Sequence, residues 1–261
     1  MAMNPRLLAP RATGFNPKSI SGLSLWLDAS QSSSVTLNSG NVSQWSDLSG
    51  NGRNFTQATA AAQPLYATAA MNGRSVVRAD GTNHSMSQTA GTSINAASIT
   101  MIFAMRHVTW QAGVAKYPNL FDTDLTAFEP DGLRFEQYNN AESAVVGDTN
   151  SFQALPVLTT SAVGLAPRVL TFTANSATLG LAVRSNGAAS ASVTVTATNY
   201  PTAFATGTRG PFFLFVGFWN VAERRSNAEI GELLIYNRAL STSELQQAER
   251  GLGRKWGITV A

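Results

Sequence analysis

From Leu23 onward the chain runs as short apolar stretches separated by Gly, Asn, Ser and Asp, the pattern of β-strands joined by turns. Leu23, Leu25 and Leu27 alternate with Ser24, Trp26 and Asp28, and Leu179, Leu181 and Val183 alternate with Gly180, Ala182 and Arg184. Such alternation predicts antiparallel strands with one wet face. Residues 76–77, 99–108, 133–138, 169–173 and 193–195 predict further strands, and Ser49-Gly-Asn-Gly52 predicts a tight turn, since Gly and Asn accept positive φ. Residues 212–219 are apolar on both faces, which places them centrally in a sheet, because an exposed run of this kind would drive aggregation.

The last fifth of the chain changes period. An apolar strand at 230–238 is followed by Ser241 and Glu244, spaced as a capping box. Leu245, Ala248, Leu252 and Trp256 then recur on one helical face, so a helix over 241–255 packs on the body through Leu245, Leu252 and Trp256. Trp26, Trp45, Trp219 and Trp256 sit within strong strand or helix patterns and are assigned to the core. With no repeat at a period of 20–50 residues, many short strands and one terminal helix predict an all-β, two-sheet antiparallel sandwich. Residues 1–21 stand apart: three prolines and no periodicity predict an extended arm, with one sandwich domain over 22–261.

Three segments, 22–57, 73–81 and 229–257, resemble the laminin-G-like, concanavalin-A-like lectin jelly rolls found in phage virion proteins and bacterial surface proteins. The resemblance rests on Gly22-Leu-Ser-Leu-Trp-Leu-Asp-Ala-Ser30, on Trp45-Ser-Asp-Leu-Ser-Gly-Asn-Gly-Arg53 and on Tyr236-Asn-Arg-Ala-Leu-Ser241. It implies a jelly-roll sandwich whose Trp45–Arg53 segment anchors the fold. Gly73–Gly81 looks like the family's strand end, with Ala79 where an aromatic is usual. The family spans unrelated functions, so the resemblance implies a fold rather than an activity.

Composition narrows the function. A chain of 261 residues with 44% hydrophobic residues can bury a full core, and without cysteine it has neither disulfides nor thiolate chemistry. The formal net charge of +3 belongs to the arm, where Arg6, Arg11 and Lys18 meet no acid, leaving the body neutral. Nucleic-acid binders concentrate basic residues on one face, so no nucleic-acid partner is expected. No apolar run approaches the ~18 residues of a membrane span, and Pro5, Arg6, Pro10 and Arg11 interrupt any secretory h-region, so a soluble protein not exported by that route is expected.

Catalytic groups are sparse. Glucanases on this jelly roll carry alternating carboxylates on one strand; here Glu229 and Glu232 are three apart, which sends them to opposite faces. Residues 149–222 hold no acid, there is no Gly-x-Ser-x-Gly elbow, and the two histidines, His84 in a loop and His107 at a strand end, need convergence to form a metal site. Asp122 and Asp124, with Glu129 and Asp131, read either as a calcium site or as a solvated acidic loop. Gly251 and Gly253 sit late in the helix, where glycines end it. Trp110, Tyr117, Phe128, Tyr138 and Tyr200 lie at strand ends or in loops, where rings stack on sugars or pack on the rim.

The resemblance and the missing catalytic groups together lead to the expectation of a non-enzymatic phage virion protein, a homo-oligomeric capsid decoration or cement subunit without cofactor. Its partners would be capsid or tail proteins, met through Arg6, Leu7, Leu8, Arg11, Phe15 and Lys18 of the arm. A carbohydrate- or receptor-binding module of a phage tail or bacterial surface is the first alternative, with surface glycans as ligands. A glycoside hydrolase is the second.

Overall fold

The computed structural model describes residues 14–88, 97–109, 119–122, 133–138, 141–146, 158–160, 165–194, 212–215 and 225–261. Within them the strands are β1 (Leu23–Asp28), β2 (Val35–Asn38), β3 (Asn41–Trp45), β4 (Phe55–Thr56), β5 (Leu65–Met71) and β6 (Arg74–Arg78). There follow β7 (Met86–Gln88), β8 (Ile99–His107), β9 (Asn119–Asp122), β10 (Leu133–Tyr138), β11 (Ala141–Val146) and β12 (Leu158–Thr160). The last are β13 (Arg168–Asn175), β14 (Gly180–Ser185), β15 (Ala188–Thr194), β16 (Phe213–Leu214) and β17 (Ala228–Tyr236), then helix α1 (Thr242–Trp256).

All described pairings are antiparallel and build two layers. One runs β15-β14-β13-β8-β17, with β1 and β6 along the other edge of β17 and β5 beyond β6. The other runs β2-β3-β4-β7-β16-β9-β10-β11-β12. The main core lies between them: Leu25, Leu27, Phe103, Leu170, Phe172 and Leu233 from the first layer meet Trp45, Phe55, Met86, Leu120 and Leu214 from the second. The all-β sandwich with one C-terminal helix is therefore the observed fold. The 212–219 run does sit centrally in its first residues, since β16 is held between β7 and β9 with Phe212, Leu214 and Phe215 buried. Trp219 lies outside the described residues.

A second apolar layer covers the outer face of the first sheet. There α1 lays Ala248, Leu252 and Trp256 on Ile102, Ala104, Val169, Leu234 and Tyr236. The helix starts as its sequence dictates, with Ser241 accepting from the Glu244 N–H and the Glu244 carboxylate accepting from the Ser241 N–H. It ends at Gly257, which takes a left-handed φ of 64°. This corrects the reading of Gly251 and Gly253 as terminators: both are buried inside the helix, where a Cβ would meet the Phe15 ring at 2.3 Å and the Val260 side chain at 2.6 Å. Close approach, not chain reversal, is their role. Trp26 differs from expectation too, lying half-buried on this outer face rather than in the sandwich core.

Candidate functional site

The face of β1 that looks polar in sequence is covered by α1, which changes the meaning of its acids. Asp28 and Glu232 are both buried and share one cation: Lys255 Nζ donates to Asp28 Oδ2 at 2.5 Å and to Glu232 Oε2 at 2.6 Å. Two indoles complete the Glu232 shell, Trp26 Nε1 at 2.8 Å to Oε1 and Trp256 Nε1 at 2.7 Å to Oε2. Asp28 also accepts from the Ser30 N–H and hydroxyl and from the Gln31 amide. Burial pushes the Glu232 carboxyl up, reinforced by the Asp28 charge and opposed by Lys255 and the Trp256 N–H. Buried carboxylates demand such partners, and these tie the C-terminal end of α1 to β1 and β17.

Glu229 lies on the same side, which corrects the expectation of opposite faces. Ile230 pairs with Met105 but Glu232 pairs with Ala104, so Gly231 is an extra residue that resets the alternation. Glu229 is buried and bonded to Arg78 Nε at 2.7 Å and Arg106 Nε at 2.6 Å. Farther along the helix, buried Glu249 accepts from Arg184 Nε at 2.8 Å on β14. All four buried carboxylates of this face are thus engaged by cations of their own chain. Sequence reading missed these clamps, although Glu249 falls four residues after Leu245 and three before Leu252, within the apolar stripe.

The family-like turn is a structural device as well. Asp47 Oδ1 accepts from the backbone of Trp26 at 3.0 Å and Ser49 at 2.8 Å, while Oδ2 accepts from the Arg53 backbone at 3.0 Å. Arg53 Nη1 and Asn51 then reach the Ser24 carbonyl on β1. Asp80 caps a second turn: burial works against its charge, but the Thr82 hydroxyl and the Thr82, Asn83 and His84 N–H groups hold its carboxyl well below the usual range. His84 lies in that loop and His107 ends β8, as expected. Among the described residues no group of three or more His, Cys, Asp or Glu is placed to hold a metal.

Of the arm residues, Arg6, Leu7, Leu8 and Arg11 lie outside the described residues. Phe15 packs on its own domain against Gly251, Pro17 and Ile20 are buried there, and Tyr236 Oη donates to the Pro17 carbonyl at 3.2 Å. Lys18 is exposed.

The remaining candidates are sorted by the ends of the second layer. The pairings Phe213–Ser87, Phe213–Asp122, Leu133–Val146 and Ala144–Leu158 align Gln88, Asp122, Leu133, Val146, Leu158 and Phe212 along one end. Chain segments 89–96, 123–132, 147–157 and 195–211 are attached at those strand ends, and their sequences contain Phe128, Tyr200, Asp124, Glu129 and Asp131. Trp110 and Tyr117 fall in segment 110–118, attached at the opposite end through Asn119, where Tyr138 closes β10. Trp110, Tyr117, Phe128, Asp124 and Tyr200 lie outside the described residues, as do the side chains of Asp122 and Tyr138.

No family model and no curated protein sequence matches this chain. Solved structures do. The binding domain of Paraclostridial Mosquitocidal Protein 1 is similar at a TM-score of 0.62 and 15% identity, over 93% of this chain and 56% of that one. The botulinum neurotoxin serotype D ligand binding domain, solved with N-acetylneuraminic acid, gives 0.60 and 11% identity, over 90% and 52%. Trypanosoma rangeli sialidase, solved with 2,3-difluorosialic acid, gives 0.57 and 14% identity, over 95% and 37%. The chain spans about half the length of the two binding domains. At these identities the likeness is one of fold alone: an antiparallel β-sandwich.

Proposed function

We propose that this chain is a non-enzymatic attachment module that binds a surface glycan or glycan-bearing receptor. The alignment of strand ends in the second layer carries the reading: it attaches four long segments side by side, two of them bearing Phe128 and Tyr200. Loops on a rigid sandwich are where such folds put recognition, and flat rings give sugar faces a stacking platform. The buried acids suit the same reading, since Asp28, Glu232 and Glu249 hold the helix to the sheet and Glu229 ties β17 to β6 and β8. The fold likeness to binding domains supports it at the level of architecture. A glycan array tests it, with a coherent set of related glycans expected.

A second reading is favoured by the base of the arm. Phe15, Pro17 and Ile20 pin it to the helix side of the domain, so an arm carrying Arg6, Leu7, Leu8 and Arg11 would leave from a fixed point. A virion decoration or cement subunit, homo-oligomeric and attached to capsid or tail proteins through that arm, uses such a tether. Its test is co-sedimentation with intact phage particles: full-length protein should travel with them and protein lacking residues 1–13 should not.

A further inference from the structure

We propose that Lys255 Nζ condenses with the Asp28 side chain into an isopeptide bond that staples the last turn of α1 to the end of β1, with Glu232 carrying the protons. The three groups already touch: Nζ lies 2.5 Å from Asp28 Oδ2 and 2.6 Å from Glu232 Oε2, and both carboxylates are buried. Holding the reactants in contact removes the cost of bringing them together. The other buried acids of this face, Glu229 and Glu249, are met by arginines, whose guanidinium stays protonated and is no nucleophile. Among the described ion pairs lysine occurs only here, and a lysine amine attacks a carbonyl carbon once it gives up a proton.

The surroundings serve each step. Asp28 Oδ1 accepts from the Ser30 N–H at 3.0 Å and the Ser30 hydroxyl at 2.6 Å, so charge developing on that oxygen meets two fixed donors. Burial pushes the Glu232 carboxyl up, which suits it to take a proton from the ammonium and hand it on. Glu232 takes one proton from Lys255 and passes it to Asp28 Oδ2. The freed amine attacks Cγ, the Nζ–Cγ bond forms, and negative charge gathers on Oδ1. A second amine proton follows the same route, the Cγ–Oδ2 bond breaks, and Oδ2 departs as water. Ammonium and carboxylate have then become amide and water with no further reactant, and Glu232 is back in its starting state. The Lys255 side chain is 28% exposed, which gives the released water a path to solvent.

A chain without cysteine has no disulfide to fix its helix, and this bond supplies a covalent tie of another kind. It joins residues 227 apart, so it restricts the unfolded chain more than a short crosslink would. The reaction runs once per molecule and does not rest on glycan binding.

Intact-mass spectrometry and peptide mapping of the full chain test it. The wild-type chain should weigh one water less than its sequence, and digestion should give a branched peptide joining the residues around Asp28 to those around Lys255. Lys255→Arg and Asp28→Ala should each restore the full mass. Glu232→Gln, checked for a native circular dichroism spectrum, should also be isolated with the full mass. The wild-type map decides whatever the stability of the variants. A wild-type chain that keeps its full mass after prolonged incubation at neutral pH overturns the proposal. So does a lost water mapped elsewhere, such as a succinimide at Asp80-Gly81 or Asp131-Gly132, or a natively folded Glu232→Gln that closes like wild type.

Discussion

Gly231 lies directly beneath the indole of Trp256: a Cβ at position 231 would stand 2.5 Å from two ring carbons. The bulged residue of β17 is thus the seat of the helix's last aromatic, and the same bulge brings Glu229 and Glu232 to one face. Trp256→Ala should cost ~3–5 kcal/mol, from lost burial and a cavity. Gly231→Ala should destabilise by about 1–3 kcal/mol through overpacking. In the Trp256→Ala background, however, it should be nearly neutral. Chemical denaturation of the four proteins in this cycle checks it, and additive effects would show that the two positions are not coupled.

The arm divides at its base. Protein starting at Gly14 should unfold at the same temperature as the full chain, whereas protein starting at Gly22 should unfold lower, having lost Phe15, Pro17 and Ile20 from the second apolar layer. Phe15→Ala should show part of that loss, about 1–3 kcal/mol for a half-buried ring. Thermal melts of the four proteins measure it. Equal stability of the full chain and the Gly22 start would remove residues 14–21 from the fold's support.

Two carboxylates give opposite pH signatures. The Glu244 carboxyl is held down to about 2 by Arg238, with help from the Ser241 N–H and hydroxyl. Its contribution is complete above the unfolded value of 4.5 and is lost as pH falls toward about 2. Glu232 is shifted up, so the folded chain takes that proton more readily than the unfolded chain, and protonating it favours folding. The deficit of Glu244→Gln relative to wild type, measured by melts from neutral to acidic pH, should shrink as pH drops and vanish near 2. A deficit that persists at that pH would mean that the ion pair with Arg238 is not its origin.

Turnover is not expected on glucans or bacterial surface polysaccharides. Asp28 and Glu232 are buried and held by the last turn of α1, and Glu232 already accepts three hydrogen bonds from Trp26, Lys255 and Trp256. Reducing-end assays should stay at background. Release that disappears in Glu232→Gln would make this residue a catalyst instead of a clamp.

Much of the sandwich was readable in the pattern of the chain. Strands with strong alternation or long apolar runs, such as β1, β8, β13 and β17, and the capped helix all announce themselves. β5 did not, because Leu-Tyr-Ala-Thr-Ala-Ala-Met is weakly patterned and its pairing with β6 is interrupted after Ala67. The clamps were hidden for another reason. Alternation marks Asp28 as a solvent-facing residue, and only the helix 214 residues later makes its side buried. The Glu229–Glu232 arrangement turned on one bulge, and a sequence that reads as strand throughout gives little sign of where an extra residue will sit.

Glycan binding tests the central proposal most directly. On an array of bacterial and animal surface glycans the full chain should mark a coherent set sharing one terminal motif. Phe128→Ala and Tyr200→Ala should each weaken that binding roughly tenfold, about 1–1.5 kcal/mol for a lost stacking contact, without lowering the melting temperature. An array with no reproducible hit, or binding untouched by both substitutions, would contradict a recognition site at that end of the second layer.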